Sequence, residues 1–253
     1  MITPKTTGIL AVHVYGMPCN AYKIQEIANR YGLKVIYDAA HAFGTEINGI
    51  GIGSFGDISM FSFHTTKLFN TLEGGARTFN EPDLKPRIDL LKNFGIKNED
   101  EVILPGINGK MNEVQAAIGL INLRHFDEEW AKRQKIIEMY KNNLSNIPGL
   151  KVFKIPSVSK NSYPYFMVRI SNEFGMSRDE VHAELKKYNV ITRKYFNPLC
   201  SDYDCYKGLP SANPENLPVA HKVVKEVLCL PLYGNLELED VKIISQIIRG
   251  LKK

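Results

Sequence analysis

YDAAHAFGTEINGIGIGSFGDISMFSFHTTKLFNTLEGGARTFN, residues 37–80, is the stretch whose reading decides the fold. Tyr37 closes the apolar run KVIY (34–37), and the polar DAAH (38–41) follows at its carboxyl end. Upstream, AYKIQEIANRY (21–31) has apolar or small residues at helical spacing and stops at Gly32, while GILAVHVY (8–15) reads as a buried strand. A strand, helix, strand order places two parallel strands in one sheet, with ligands expected beyond their carboxyl ends, where DAAH lies. Downstream, a glycine-rich loop leads into ISMFSFH (58–64) and then Lys67. After EGG (73–75), ARTFN offers one more short strand.

From Asn112 the pattern becomes helical through Leu144, with apolar residues every three or four positions. Beyond it, strand-like runs (KVFKI, YFMVRI, VITRKYF) mix with helix-like ones (SRDEVHAELKKY, NLPVAHKVVKEVLCL, ELEDVKIISQIIRGL), an α+β arrangement. SRDE and NLELED each offer a capping residue and an acidic first turn. The expected division is therefore residues 1–111, a connecting helix 112–145, and a small domain 146–253.

The 253 residues are 44% hydrophobic and 23% charged, the composition of an ordinary soluble globular protein. The net charge of +5 is spread along the chain, which argues against nucleic-acid or membrane partners and suits an anionic small molecule. No run approaches the roughly 20 apolar residues of a membrane span. Cys19, Cys200, Cys205 and Cys229 lack paired CxxC spacing, so they are expected to be reduced thiols of a cytoplasmic protein, with no metal site.

The chemistry-bearing residues of this reading are Asp38 and His41 after one strand, and Ser62 and Lys67 at the end of another. Such a set suits pyridoxal 5'-phosphate (PLP), which needs an amine to bind it covalently, a carboxylate for its pyridine nitrogen and donors for its phosphate. Taken singly, Asp38 equally fits a helix cap, His41 a core histidine and Lys67 a surface lysine. Composition and spacing alone give an α/β enzyme of open chemistry. Asp38, His41, Asp57 and His64 also allow a metal-dependent hydrolase.

The ordered set D-A-A-H, S-F-G-D, F-S-F-H-x-x-K and E-G-G, with HVYGMP (13–18) and PGINGKMNEVQAAIGLINL (105–123), resembles the DegT/DnrJ/EryC1/StrS sugar aminotransferases, and the match covers nearly the whole chain. The resemblance implies a PLP-dependent transferase of fold type I: an α/β large domain with a mixed sheet and helices on both faces, here incomplete, plus a small α+β C-terminal domain. It implies Lys67 as the Schiff-base lysine and Asp38 as partner of the pyridinium nitrogen. His41 would stand near the ring hydroxyl and Ser62 would donate to the phosphate. Asn108 would reach the phosphate of a neighbouring subunit, which implies a homodimer with shared active sites. Two positions depart from the family pattern: Leu72 stands where glycine is usual, and Lys110 where arginine is frequent.

Family members carry roughly a hundred residues before HVYG, so the chain is expected to lack its N-terminal part, including the phosphate-binding loop and the aromatic residue that stacks on the ring. The activity implied is transamination of a nucleotide-linked keto-sugar, dTDP-4-keto-6-deoxyglucose to its 4-amino product, with glutamate as amino donor, in surface-polysaccharide sugar biosynthesis. VITRKYF then offers Arg193, Lys194 and Tyr195 as sugar-nucleotide contacts. An inactive or split-gene fragment needing its missing part is the competing expectation.

Overall fold

A computed structural model describes residues 2–153 and 160–253, which fall into two compact units. The first holds 2–129 and 160–164, the second 130–153 and 165–253.

In the first unit, β1 (Gly8–Val12), α1 (Ala21–Tyr31) and β2 (Lys34–Asp38) form the expected crossover, β1 and β2 being parallel with Val12 opposite Asp38. Asn20 caps α1 by accepting from the Lys23 amide, and Gly32 ends it at φ 63°, a conformation open to a residue without Cβ. The chain then makes a small hairpin, β3 (Glu46–Ile47) and β4 (Ile50–Gly51), before β5 (Ile58–Ser62) joins β2 in parallel. Finally β6 (Gly75–Phe79) pairs antiparallel with β5, giving the order β1-β2-β5-β6 in a mixed sheet. β1 is shorter than GILAVHVY suggested: it ends at Val12, and a 3-10 turn at Val14–Gly16 follows, with Tyr15 at φ 57°.

The register divides the sheet's residues between two faces, because side chains alternate along each strand. Val35, Tyr37 and Phe61 share one face and build the core with Ala21, Ala28 and Leu33 of the α1 region. Asp38 belongs to the other face, with Met60 opposite it and Ser62 two residues on. Leu10, Val12, Ile36 and Met60 on that face are 69, 44, 39 and 39% exposed. The sheet is thus closed on one side and open on the side that carries Asp38.

α2 (Leu84–Lys92), α3 (Glu113–Arg124) and α4 (Phe126–Asn143) follow. The single long helix expected from 112 is two, interrupted at His125, whose φ, ψ of −98°, 1° leave the helical region. Phe126 belongs to the core of the first unit, its ring edge-on to Phe43 at 5.5 Å. Burying it beside Phe43 and Phe69 there offsets the break in the ladder.

In the second unit β7 (Leu150–Val152), β8 (Phe166–Ile170) and β9 (Val227–Leu230) form an antiparallel sheet. α5 (Arg178–Lys187), α6 (Pro218–Glu226) and α7 (Leu238–Leu251) supply helices, with Val181, Leu185, Val241, Ile244 and Ile248 buried. The SRDE cap forms: Ser177 and Glu180 exchange both bonds of a capping box. At NLELED the acidic first turn of α7 forms, but its N-cap Glu237 makes no side-chain cap bond. Two further expectations are corrected. The VLCL end of the expected helix 216–230 is strand β9, because four successive residues are buried on both faces and pair with β8. VITRKYF is not a strand; it meets β9 through the Arg193–Cys229 bridge, while Thr192 turns inward to bond His182 at 2.6 Å. The end of KVFKI lies outside the described residues.

Leu72 sits at φ 66° with its side chain half exposed. A left-handed conformation costs a residue with Cβ roughly 1–2 kcal/mol, partly offset because glycine makes the unfolded chain more flexible. Leu72→Gly is therefore expected to stabilise the protein by about 0.5–1 kcal/mol, read as a higher urea midpoint at unchanged slope.

Candidate functional site

Three of the expected residues meet at the carboxyl end of β2. Asp38 Oδ1 accepts the Ala40 amide at 3.0 Å, leaving its second oxygen without a partner among the described residues. His41 feels the Lys67 ammonium and the Asp38 carboxylate, and Lys67 feels Asp38 in turn. Burial lowers the Lys67 pKa, with Asp38 opposing the shift. The result is a partly desolvated amine within reach of a carboxylate's charge. Ser62 shares the Asp38 face; its Oγ accepts from the His64 amide at 3.4 Å, and its hydroxyl proton has no acceptor among the described residues.

His41 is oriented from behind. Its Nδ1 accepts the Tyr15 amide at 3.2 Å, which fixes the proton of the neutral ring on Nε2. That contact needs the 13–16 backbone against residue 41. At Gly16, φ 72°, a Cβ would lie 2.8 Å from both the His41 carbonyl and Ser162 Oγ. A clamp sequence reading missed holds this approach: Ser162 Oγ donates to the His41 carbonyl at 2.9 Å and Asn161 Nδ2 to the Gly16 carbonyl at 2.9 Å. Thr45, buried, accepts the Ser162 amide at 3.1 Å. No motif advertises these residues, because Thr45 and Ser162 are far apart in the chain.

Lys67 sits in a loop tied at both ends. Phe63 donates its amide to the Gly74 carbonyl at 2.8 Å, and the Lys67 amide bonds His64 at 2.9 Å. Helix α3 grips the loop: Asn122 Nδ2 donates to the Asn70 carbonyl at 2.8 Å and Gln115 Nε2 to that of Glu73 at 2.9 Å. Gly119 allows the approach, since a Cβ there would stand 2.8 Å from Thr71 Cγ2.

The other expected residues lie elsewhere. Asn108 pairs with Asn93 and receives a hydrogen bond from Lys110. Arg193, Lys194 and Tyr195 belong to the second unit, where Lys194 is paired with Asp179 at 2.5 Å and the Tyr195 ring stands edge-on to Tyr165. The hydrolase set does not converge. Asp57 accepts the Val35 amide at 2.7 Å and Lys34 Nζ at 2.8 Å, fixing it at the start of β2, about 10 Å along the strand from Asp38.

His13 adds a second buried imidazole. It is fully buried, stacked on Tyr37 at 4.5 Å, with Nδ1 accepting the Cys19 amide at 2.9 Å. Burial pushes the pKa of His13 down to about 4, against the pull of Asp38. His41 is likewise pushed down to about 4 by burial, then by the Lys67 charge, with Asp38 again opposing. Both therefore stay neutral in the folded protein while unfolded histidine titrates near 6.5, so acid favours the unfolded chain, which binds the extra protons. Stability is expected to fall as pH drops from about 6.5 to about 4, with a linkage approaching two protons, and to level off below. Urea midpoints across that range check this; His41→Gln should remove about half of the slope.

The sequence profile of the DegT/DnrJ/EryC1/StrS aminotransferase family matches residues 1–249. The dTDP-4-amino-4,6-dideoxy-D-glucose transaminase of Escherichia coli is 46% identical over 251 residues, which cover 98% of this chain and 67% of that protein. The transaminase of the same name from Shigella dysenteriae is 40% identical over 99% of this chain and 68% of its own. The crystal structure of DesI in the presence of its TDP-sugar product superposes with a TM-score of 0.88 at 35% identity, over 98% of this chain and 63% of that one. The chain thus spans about two thirds of the length of these relatives.

Proposed function

Because this chain belongs to the DegT/DnrJ/EryC1/StrS aminotransferase family, we propose that it carries the catalytic lysine and carboxylate of a PLP-dependent transaminase acting on a nucleotide-linked keto-sugar. The observation that carries this reading is the meeting of a burial-activated Lys67 with an Asp38 carboxylate that has one oxygen unpartnered, on the open face of the sheet. Family members use PLP, and the residues present fit it. The unpartnered Asp38 oxygen matches a protonated ring nitrogen, the neutral His41 matches the ring hydroxyl, and the Ser62 hydroxyl matches a phosphate oxygen.

When bound, the cofactor supplies an electron sink for the carbon that loses a proton. Lys67 Nζ would hold it covalently and, once freed by the donor's amine, would be the base that takes up and returns the transferred proton. Burial lowers its pKa, which favours the neutral amine that both tasks need. The Asp38 carboxylate would pair with the ring nitrogen and favour its protonated form by charge. The clamp from Thr45, Asn161 and Ser162 holds the backbone of residues 16 and 41 together, which keeps the Tyr15 amide against the His41 ring.

We further propose dTDP-4-keto-6-deoxyglucose as acceptor and glutamate as donor, the sugar being supported by the two named relatives. Arg193, Lys194 and Tyr195 are proposed contacts to the sugar nucleotide, for which Lys194 would have to leave Asp179. A homodimer is supported by exposed apolar residues, among them Val102, Ile107, Val114 and Leu120, each more than 60% exposed. A second reading is favoured by the uncovered Leu10, Val12, Ile36 and Met60: the working site needs further polypeptide over this face.

Mixing the chain with PLP tests the main reading. A yellow lysine-bound band that glutamate bleaches supports it; no band with this chain, and none after adding the N-terminal third of a close relative, would sink it.

A further inference from the structure

The segment 192–194 is stapled to α5 at two points. Thr192, which is buried, bonds His182 through its hydroxyl at 2.6 Å, and the Lys194 ammonium stands 2.5 Å from Asp179 Oδ1. Asp179 and His182 are three residues apart on α5, so they share one face of that helix. The backbone between the staples is fixed as well: the Arg193 amide donates to the Cys229 carbonyl at 3.0 Å, and the Cys229 amide donates to the Arg193 carbonyl at 2.8 Å. The Lys194 side chain can therefore move without disturbing the chain that carries it.

Asp179 Oδ1 holds two cations, and they differ. Arg178 donates Nε to it at 2.9 Å, is 4% exposed, and is anchored on its other side by a 2.8 Å bond from Nη1 to the Val227 carbonyl. Lys194 has 31% of its side chain exposed and reaches Asp179 on a flexible four-carbon stem. When the ammonium leaves, the carboxylate keeps Arg178 and, with 63% of its side chain exposed, takes water in place of Lys194. Partly exposed pairs of this kind contribute little to stability, so a stronger anion opens this one at small cost. A diphosphate is such an anion: it carries more charge than a carboxylate and has several oxygens for the three donors of an ammonium.

We propose that Asp179 is a specificity-determining counter-ion, which neutralises Lys194 in the free protein and yields it to a ligand of higher negative charge, the diphosphate of a nucleotide. The proposal rests on the reading that Lys194 contacts the sugar nucleotide, and adds to it the group that the ligand displaces. A neutral sugar or nucleoside leaves the Asp179–Lys194 pair closed. Asp179 thus discriminates by charge rather than by shape.

The test titrates dTDP, dTMP and thymidine calorimetrically into the full chain and its variants at about 0.15 M salt, where charges more than about 8 Å apart are largely screened. Asp179→Asn keeps the size of the side chain and leaves intact the Ser177–Glu180 capping box that starts α5. Asp179→Asn is expected to bind dTDP about fivefold more tightly than the wild type, with a smaller gain for dTMP and none for thymidine. Lys194→Met should weaken dTDP binding by about fivefold, and adding Asp179→Asn to it should restore less than about twofold, because no ammonium remains to be released. Unchanged or weaker dTDP binding in Asp179→Asn, an equal gain for thymidine, the full gain in the Lys194→Met background, or no dTDP binding by any of these proteins would each overturn the proposal. Failure here and failure of the transaminase reading are distinct results. A yellow band with PLP but no gain in Asp179→Asn removes the counter-ion and leaves that reading, whereas the gain without a band, even after the N-terminal third is added, does the reverse.

Discussion

Lys67→Ala is expected to give a folded protein that forms no yellow band with PLP and whose transamination falls to background, a loss of at least ~10²–10⁴-fold. The size follows from the two tasks assigned to one atom. Nζ is the proposed covalent attachment point and proton carrier, and this amine interacts by charge with both His41 and Asp38. Folding should survive, because burial opposes the charge of Lys67 and alanine relieves that opposition. The backbone turn that places residue 67 is held by its own amide to His64 and by the Phe63–Gly74 bond, neither of which needs the side chain. Lys67→Arg is expected to fail equally: a guanidinium stays charged and cannot act as the amine nucleophile. Absorbance with PLP, followed by product formation from glutamate and the keto-sugar, measures both losses. Ordinary turnover in Lys67→Ala would remove the role assigned to this residue.

Much of the site was legible because its signals are local. Asp38 and His41 follow one strand directly, Ser62 and Lys67 another, and strand alternation alone places Asp38 and Ser62 on one face once the parallel pairing is known. The supporting shell was not legible. Thr45, Asn161 and Ser162 look like ordinary polar loop residues, and their value lies in bonds across long chain separations to the Gly16 and His41 carbonyls. Gln115 and Asn122 were read only as parts of a helix; that their side chains reach the lysine loop depends on how α3 lies, which periodicity does not specify. Errors of element type had the same origin. VLCL reads as the end of an amphipathic helix until β8 supplies a partner on its edge, and short apolar runs give no period long enough to decide. The break at His125 was hidden because Phe126 continues the apolar spacing while turning into a different core.

Asp38→Asn is the sharper probe of the chemistry, because the substitution keeps shape and removes charge. The carboxamide oxygen can still accept the Ala40 amide that now bonds Oδ1 at 3.0 Å, so the end of β2 should hold its conformation. What is lost is the full negative charge that Asp38 is proposed to offer a protonated ring nitrogen. PLP should therefore still attach to Lys67 and give its yellow band, while the proton-transfer steps slow by roughly 10²–10³-fold, the usual cost of removing one preorganised electrostatic partner. A second readout separates this cause from a general disturbance. Asp38 raises the pKa of Lys67 and of His41, opposing burial in both. Without its charge both values should fall further, and the pH at which Lys67 gains its proton in the cofactor-free protein should move downward. A titration of Lys67 reactivity toward an amine-selective reagent reads that movement. An upward shift, or none alongside a full kinetic loss, would mean that Asp38 acts through shape, and the electrostatic role given to it here would have to be withdrawn.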